Sequence, residues 1–197
     1  MSTRRAFVNR IAQAASLPGL LLGCALPLSL HRPAYGQNGI LSLKDIRERG
    51  VVMQNWESSC AAAAVATVMT YGFRDPVSER TVALDMLKKT DPAKVKAQGG
   101  FSLLDMKRFA EARGYEAAAY MNLSFDEMRV FHAPILLIET KGYRHYVVYN
   151  GVRGKQVLIA DPAFGNREME IESLQEQWVD GIAFVLTKAT VVRQLSP

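Results

Sequence analysis

Apolar and polar positions repeat with two different periods along the chain, and the change falls near residue 115. Before it, Leu43 to Arg49 reads as a short helix ended by Gly50. Val51-Val52-Met53 follows as a brief extended run into the loop Gln54-Asn55-Trp56-Glu57-Ser58-Ser59-Cys60. Cys60 to Tyr71 carries no charge, is rich in alanine and stops at Gly72; a helix without a polar face belongs in the middle of a core. Val77 to Lys89 and Ser102 to Arg113 read as amphipathic helices. Ser102 and Asp105 make the start signal of the second, Leu103, Leu104, Phe109 and Ala110 supply its core face, and Gly114 closes it. After residue 115 the period shortens. Tyr115 to Met121, Pro134 to Glu139, His145 to Val152, Gln156 to Ala160 and Gly181 to Leu186 are short β-branched or aromatic runs between turn residues, which predicts strands. Helices first and strands after give an α+β fold, with a helical layer packed through one interface on a C-terminal antiparallel sheet.

Residues 1 to 36 follow neither pattern. Arg4, Arg5, Arg10 and Arg32 occur there without a single acid, an apolar stretch runs from Leu17 to Leu30, and Ala34-Tyr35-Gly36 offers small residues around a cleavage point. This is the layout of an export signal removed after Gly36, which leaves residues 37–197 as one domain in the periplasm or another extracytoplasmic space. Thr3-Arg4-Arg5-Ala6-Phe7-Val8 resembles a twin-arginine signal, with an ordinary secretory signal as the alternative. Leu21-Leu22-Gly23-Cys24 has some likeness to a lipobox, in which Cys24 would be acylated. The leucine at its second position and the apolar residues beyond it argue against that anchor. A membrane span needs about twenty apolar residues, and this stretch is shorter and broken by Pro18, Gly19 and Pro27. Without the four arginines the net charge falls from +5 to +1, which removes the electrostatic case for nucleic-acid binding. The overall make-up, 49% hydrophobic and 22% charged, is that of a globular domain with a core.

Cleavage after Gly36 also removes Cys24 and leaves Cys60 alone. Oxidising compartments favour paired cysteines, so a lone thiol there needs a reason. At the first turn of a helix, free backbone N–H groups and the positive end of the dipole favour a thiolate nucleophile. The bland alternative is a structural cysteine among alanines. A nucleophile needs a base, and outside the signal the choices are His132 and His145. His132, in Val130-Phe131-His132-Ala133-Pro134, has no acid to orient it and reads as a partly exposed loop residue. His145 opens a strand whose hairpin partner ends at Asp161. A turn centred on Arg153 sets the two opposite each other, with Cβ atoms about 5 Å apart. Asp161 would then fix the tautomer of His145. A one-residue slip would put them on opposite faces, and Asp161-Pro162 also suits a simple turn. Gln54, six residues before Cys60, can turn its amide toward a reacting carbonyl and form an oxyanion hole with the Cys60 N–H. Trp56, Tyr143, Tyr146 and Phe164 read as core aromatics rather than groove lining.

Gln54-x5-Cys60, Gly100-Phe101-Ser102-Leu103 opening a helix, His145-Tyr146-Val147-Val148 and Asp161-Pro162-Ala163, spread over residues 50 to 187, resemble the C39 (double-glycine leader) peptidase domain. The resemblance implies a papain-like fold with Cys60 as nucleophile, His145 as base, Asp161 as orienting acid and Gln54 as oxyanion donor. It implies a cysteine endopeptidase that cuts an exported peptide or protein and needs no metal or cofactor. Transporter-linked members of that family cut after a Gly-Gly pair and precede membrane helices and an ATPase. Here no Gly-x4-Gly-Lys-Ser/Thr phosphate loop occurs, so ATP is not an expected ligand. The chain is similar instead to free-standing periplasmic C39-like proteins, including those linked to functional amyloid export. An amyloid-type substrate and association with an export system are therefore the expected partners. Where the family often has Asp-Cys-Gly this chain has Ser59-Cys60-Ala61, which bears on its substrate subsites and on the double-glycine preference. Two rival readings are a C39-like module that grips an exported peptide without cutting it, and an assembly factor in which Cys60 is core. The joint presence of Gln, Cys, His and Asp argues against the first, and thiol labelling of the folded protein separates the second.

Overall fold

The helix that begins at Cys60 lies at the centre of the molecule because nothing on it requires water. In the computed structural model, which describes residues 41–188, α2 (Cys60–Thr67) is buried along its whole length. Its small alanine side chains let strands and helices approach closely on every side. The expected export segment, residues 1–36, lies outside the described residues. After Thr67 the helix widens into a π turn over Val68–Gly72, with the Phe73 N–H reaching back five residues to the Val68 carbonyl at 3.1 Å. The Thr67 hydroxyl donates to the Ala63 carbonyl and accepts the Val52 N–H at 2.9 Å. The run Val51-Val52-Met53, expected to be extended, is thus tied to α2 and joins no strand.

Helices α1 (Leu43–Glu48), α3 (Glu79–Leu87) and α5 (Leu103–Ala112) start at Ser42, Ser78 and Ser102. Each serine side chain accepts a backbone N–H of the first turn, and Asp45 and Asp105 complete capping boxes. A short α4 (Pro92–Ala97) is capped by Asp91. Strands β1 (Tyr115–Tyr120), β2 (Ile135–Thr140), β3 (Tyr143–Arg153), β4 (Gln156–Asp161), β5 (Gly165–Glu170) and β6 (Trp178–Lys188) form one antiparallel sheet. Its order is β1-β6-β2-β3-β4-β5. The α+β class and the five expected strands are present, and β5 extends the sheet at one edge.

The expectation of a single helix-to-sheet interface needs correction. On one face, Val65 and Met69 with Met86 and Phe109 pack on Ile135, Val148, Ala160 and Phe184. On the other, Leu136, Val147, Tyr149 and Ile159 are covered by Met128 of α6 (Phe125–Met128) and Leu174 of α7 (Ile171–Gln177). Each of these two short helices contributes one fully buried side chain, too few for a hydrophobic period to show.

The β3–β4 hairpin carries a second correction. Val152 faces Val157 and Arg153 faces Gln156, so the turn is centred between Gly154 and Lys155 rather than on Arg153. That register alone would put His145 and Asp161 on opposite faces of the sheet. A bulge then sets Asn150 and Gly151 against Leu158, after which Tyr149 faces Ile159 and Val148 faces Ala160. The extra residue restores the phase. Continued, this register puts Asp161 opposite Val147, so His145 and Asp161 are diagonal neighbours on one face, a separation that longer side chains still bridge. Gly151 holds the bulge at φ +113°, a conformation closed to side-chain-bearing residues at ordinary cost. Gly151→Val is expected to destabilise the fold by about 1–3 kcal/mol, read as a shifted midpoint in urea unfolding.

Candidate active site

Cys60 is the first residue of α2, so its backbone N–H has no partner within the helix, and its side chain is 4% exposed. His145, near the start of β3, is 8% exposed, and Asp161, the last residue of β4, is fully buried. His145 Nε2 lies 2.7 Å from Asp161 Oδ1, and Cys60 lies near enough to the ring to favour its charged form. With Nε2 committed to Asp161, Nδ1 is the ring nitrogen left for proton exchange. The structure therefore brings three of the four expected residues together. The fourth, Gln54, is docked by its backbone N–H on the Pro162 carbonyl at 2.8 Å, beside Asp161. Its side-chain amide donates one N–H to the Trp56 carbonyl at 3.1 Å, which leaves the other N–H free, and its Oε1 is buried without a partner.

Burial works against a charged imidazole, but the hydrogen bonds and charges of Asp161 and Cys60 outweigh it and raise the His145 pKa to about 9. Burial would likewise push the Asp161 carboxyl up. The His145 hydrogen bond and charge, the Ala163 N–H at 2.8 Å and the Arg167 guanidinium, with Nε 2.8 Å from Oδ2, hold it below the usual carboxylate range. The site is an ordered row of a sulfur, a cation-favouring imidazole and a fixed carboxylate, suited to nucleophilic acyl transfer.

A groove of about 550 Å³ runs past Cys60 between Gly100, Phe101, Leu103, Leu137 and Tyr146. It continues through Gly99 and Phe101 into an apolar hollow of about 520 Å³ lined by Trp56, Leu84, Val95 and Tyr143. The Tyr143 hydroxyl donates to the Glu57 carbonyl at 3.0 Å and ties the β2–β3 turn to the loop before Cys60. Burial, and the charge of Cys60 after it, push the Tyr146 hydroxyl up to about 12, so it remains a neutral phenol in the groove wall.

The model of the peptidase C39 family matches residues 48–190. The chain belongs to the peptidase C39 family. It is a C39-type cysteine peptidase, and its fold is papain-like. It is 35% identical over 164 residues to the probable functional amyloid protease FapD of Pseudomonas aeruginosa, across 80% of this chain and 71% of that protein. The FapD of Pseudomonas fluorescens is 34% identical, across 74% of this chain and 63% of that protein. Among solved structures, a double glycine motif protease from an AMS/PCAT transporter, in complex with its leader peptide, superposes with a TM-score of 0.58. It is 25% identical, over 71% of this chain and 91% of that one. The peptidase domain of Streptococcus ComA shares the fold with a TM-score of 0.59 at 23% identity, over 71% of this chain and 98% of that one.

Several residues of this peptidase's site escape sequence reasoning. Arg167, on the carboxylate of Asp161, sits on β5, whose mixed run Gly-Asn-Arg-Glu-Met-Glu gives no clear strand period. Trp56, Tyr143 and Phe164, taken as core, are exposed, and Phe164 lies against the Arg167 guanidinium. His132 is an exposed loop residue, as expected, and packs edge-on to Phe73.

Because Asp161 separates two cationic groups in a buried place, Asp161→Ala is expected to destabilise the peptidase by about 3–5 kcal/mol. The pKa of His145 is raised, so its contribution is complete below its ordinary value of 6.5 and fades as pH climbs through about 9. The pKa of Asp161 is lowered, so its contribution is present above 3.8 and fades as pH falls. Urea unfolding across pH should show the widest gap between wild type and Asp161→Ala between these limits, narrowing on the alkaline side.

Proposed function

We propose that the peptidase cuts an exported peptide or protein with Cys60 as nucleophile, His145 as general base and acid, Asp161 as its orienting group, and Gln54 with the Cys60 N–H as oxyanion donors. The observation that carries this reading is the His145–Asp161 hydrogen bond set beside Cys60, which stands at the N-terminus of a buried helix. His145 holds the Cys60 proton, and the thiolate attacks the scissile carbonyl carbon. The carbonyl oxygen, now negative, takes the Cys60 N–H and the uncommitted N–H of Gln54. His145 then gives its proton to the leaving amine, and water, activated by the same ring, releases the acyl group from sulfur.

The groove beside Cys60 suits a chain with small residues at the scissile bond and apolar side chains reaching the hollow by Trp56 and Leu84. The names of the relatives support a substrate of the exported, amyloid-forming kind, and the leader-peptide complex of the structural neighbour supports cleavage near a leader. The basic, apolar N-terminal segment supports action outside the cytoplasm, beside an export system.

Cys60→Ala is expected to abolish cleavage of exported proteins encoded beside this gene while leaving the melting temperature within a few degrees of wild type. Gln54→Ala should lower kcat by about 10²–10³ with a small change in KM. Undiminished cleavage by the Cys60 variant, followed by gel and mass spectrometry, would sink the assignment.

A further inference from the structure

Glu79, the first residue of α3, is 2% exposed and has no part in the chemistry above. Its Oε1 accepts the Asn55 backbone N–H at 2.9 Å and the Ser59 hydroxyl at 2.5 Å, and its Oε2 accepts the Asn55 side-chain amide at 2.8 Å. Among the described residues no Lys or Arg pairs with it; these donors and the start of its own helix satisfy the carboxylate instead. Asn55 directly follows Gln54 and Ser59 directly precedes Cys60. One buried carboxylate therefore holds both ends of the loop that separates the two oxyanion donors. The hold reaches the Gln54 side chain by a second route. The Ser59 hydroxyl accepts the Trp56 N–H at 3.2 Å, and the Trp56 carbonyl accepts the Gln54 amide at 3.1 Å.

We infer that Glu79 is a positioning residue that sets the distance between the Gln54 amide and the Cys60 N–H, so that both reach one oxygen. The inference rests on the reading of Gln54 as an oxyanion donor. His145 and Asp161 are placed by β3 and β4 and the thiol by the start of α2, and the His145–Asp161 bond does not run through Glu79. Loss of the carboxylate should therefore impair oxyanion stabilisation and spare thiolate reactivity, a separation that general loosening of the fold would not produce.

Two rate constants of the full-length protein test this. Acylation by p-nitrophenyl acetate forms a sulfur–carbon bond and expels p-nitrophenolate through a tetrahedral oxyanion. Alkylation by iodoacetamide forms a sulfur–carbon bond and expels iodide with no oxyanion. Glu79→Ala is expected to slow acylation by about tenfold or more while alkylation stays within about threefold. Gln54→Ala should do the same, and the double variant should be no slower than the slower single one. Glu79→Gln keeps one acceptor oxygen and can donate to a flipped Asn55 amide, so it should restore acylation to within about threefold of wild type. Should Glu79→Ala fail to fold, Asn55→Ala and Ser59→Ala each remove one of the bonds, and slower acylation with unchanged alkylation supports the same conclusion. Equal losses in both rates, normal acylation in Glu79→Ala beside slow acylation in Gln54→Ala, or a Glu79→Gln variant as slow as Glu79→Ala would overturn the positioning role. Undiminished acylation in Gln54→Ala would overturn the oxyanion reading beneath it.

Discussion

Across the diagonal of one hairpin, the 2.7 Å bond between His145 and Asp161 joins a buried ring nitrogen to a carboxylate that has no access to water. A buried carboxylate is tolerable only when its lone pairs are taken, and here His145, Arg167 and the backbone N–H groups of Ala163 and Phe164 take them. Everything around the site serves that arrangement. The bulge at Gly151 brings the two strands into phase, the turn after Asp161 offers its carbonyl to Gln54, and β5 exists in this sheet as the strand that delivers Arg167.

Much of this was legible in the residue pattern, and the reasons differ by element. The Cys60 helix announces itself because a run of alanines without charge has only one stable place, the middle of a core. The serine-capped helices and the β-branched strands follow from local chemistry in the same way. A hairpin centred on Arg153 pairs His145 with Asp161 but sets the turn one and a half residues too early and contains no bulge. The two departures left the parity unchanged, so the pair was right although the register was not. β5, α6 and α7 stayed hidden because each is short and meets the core at few positions.

Glu79 shows a different limit. It lies 24 residues from Asn55 and 20 from Ser59, and nothing in the sequence distinguishes it from any other acid in a helix's first turn. Only the fold reveals that its carboxylate is buried and shared by the two ends of the nucleophile loop. Arg167 is similar, since an arginine on an edge strand is ordinary until its neighbour proves to be Asp161. Residues that bear chemistry carry a type and a spacing that can be read. Residues that hold them are defined by packing, and packing is not visible until the chain is folded.

Central to the proposed mechanism is a His145 ring held in its charged form between Asp161 and Cys60. The most direct measurement is the protonation of the His145 ring, followed by nitrogen chemical shifts in labelled protein as pH is raised. The mechanism predicts a ring that stays charged at neutral pH and titrates near 9, and that falls back toward an ordinary histidine value of 6.5 when Cys60 is replaced by alanine. A wild-type ring already neutral at neutral pH, or one whose titration ignores Cys60, would contradict it.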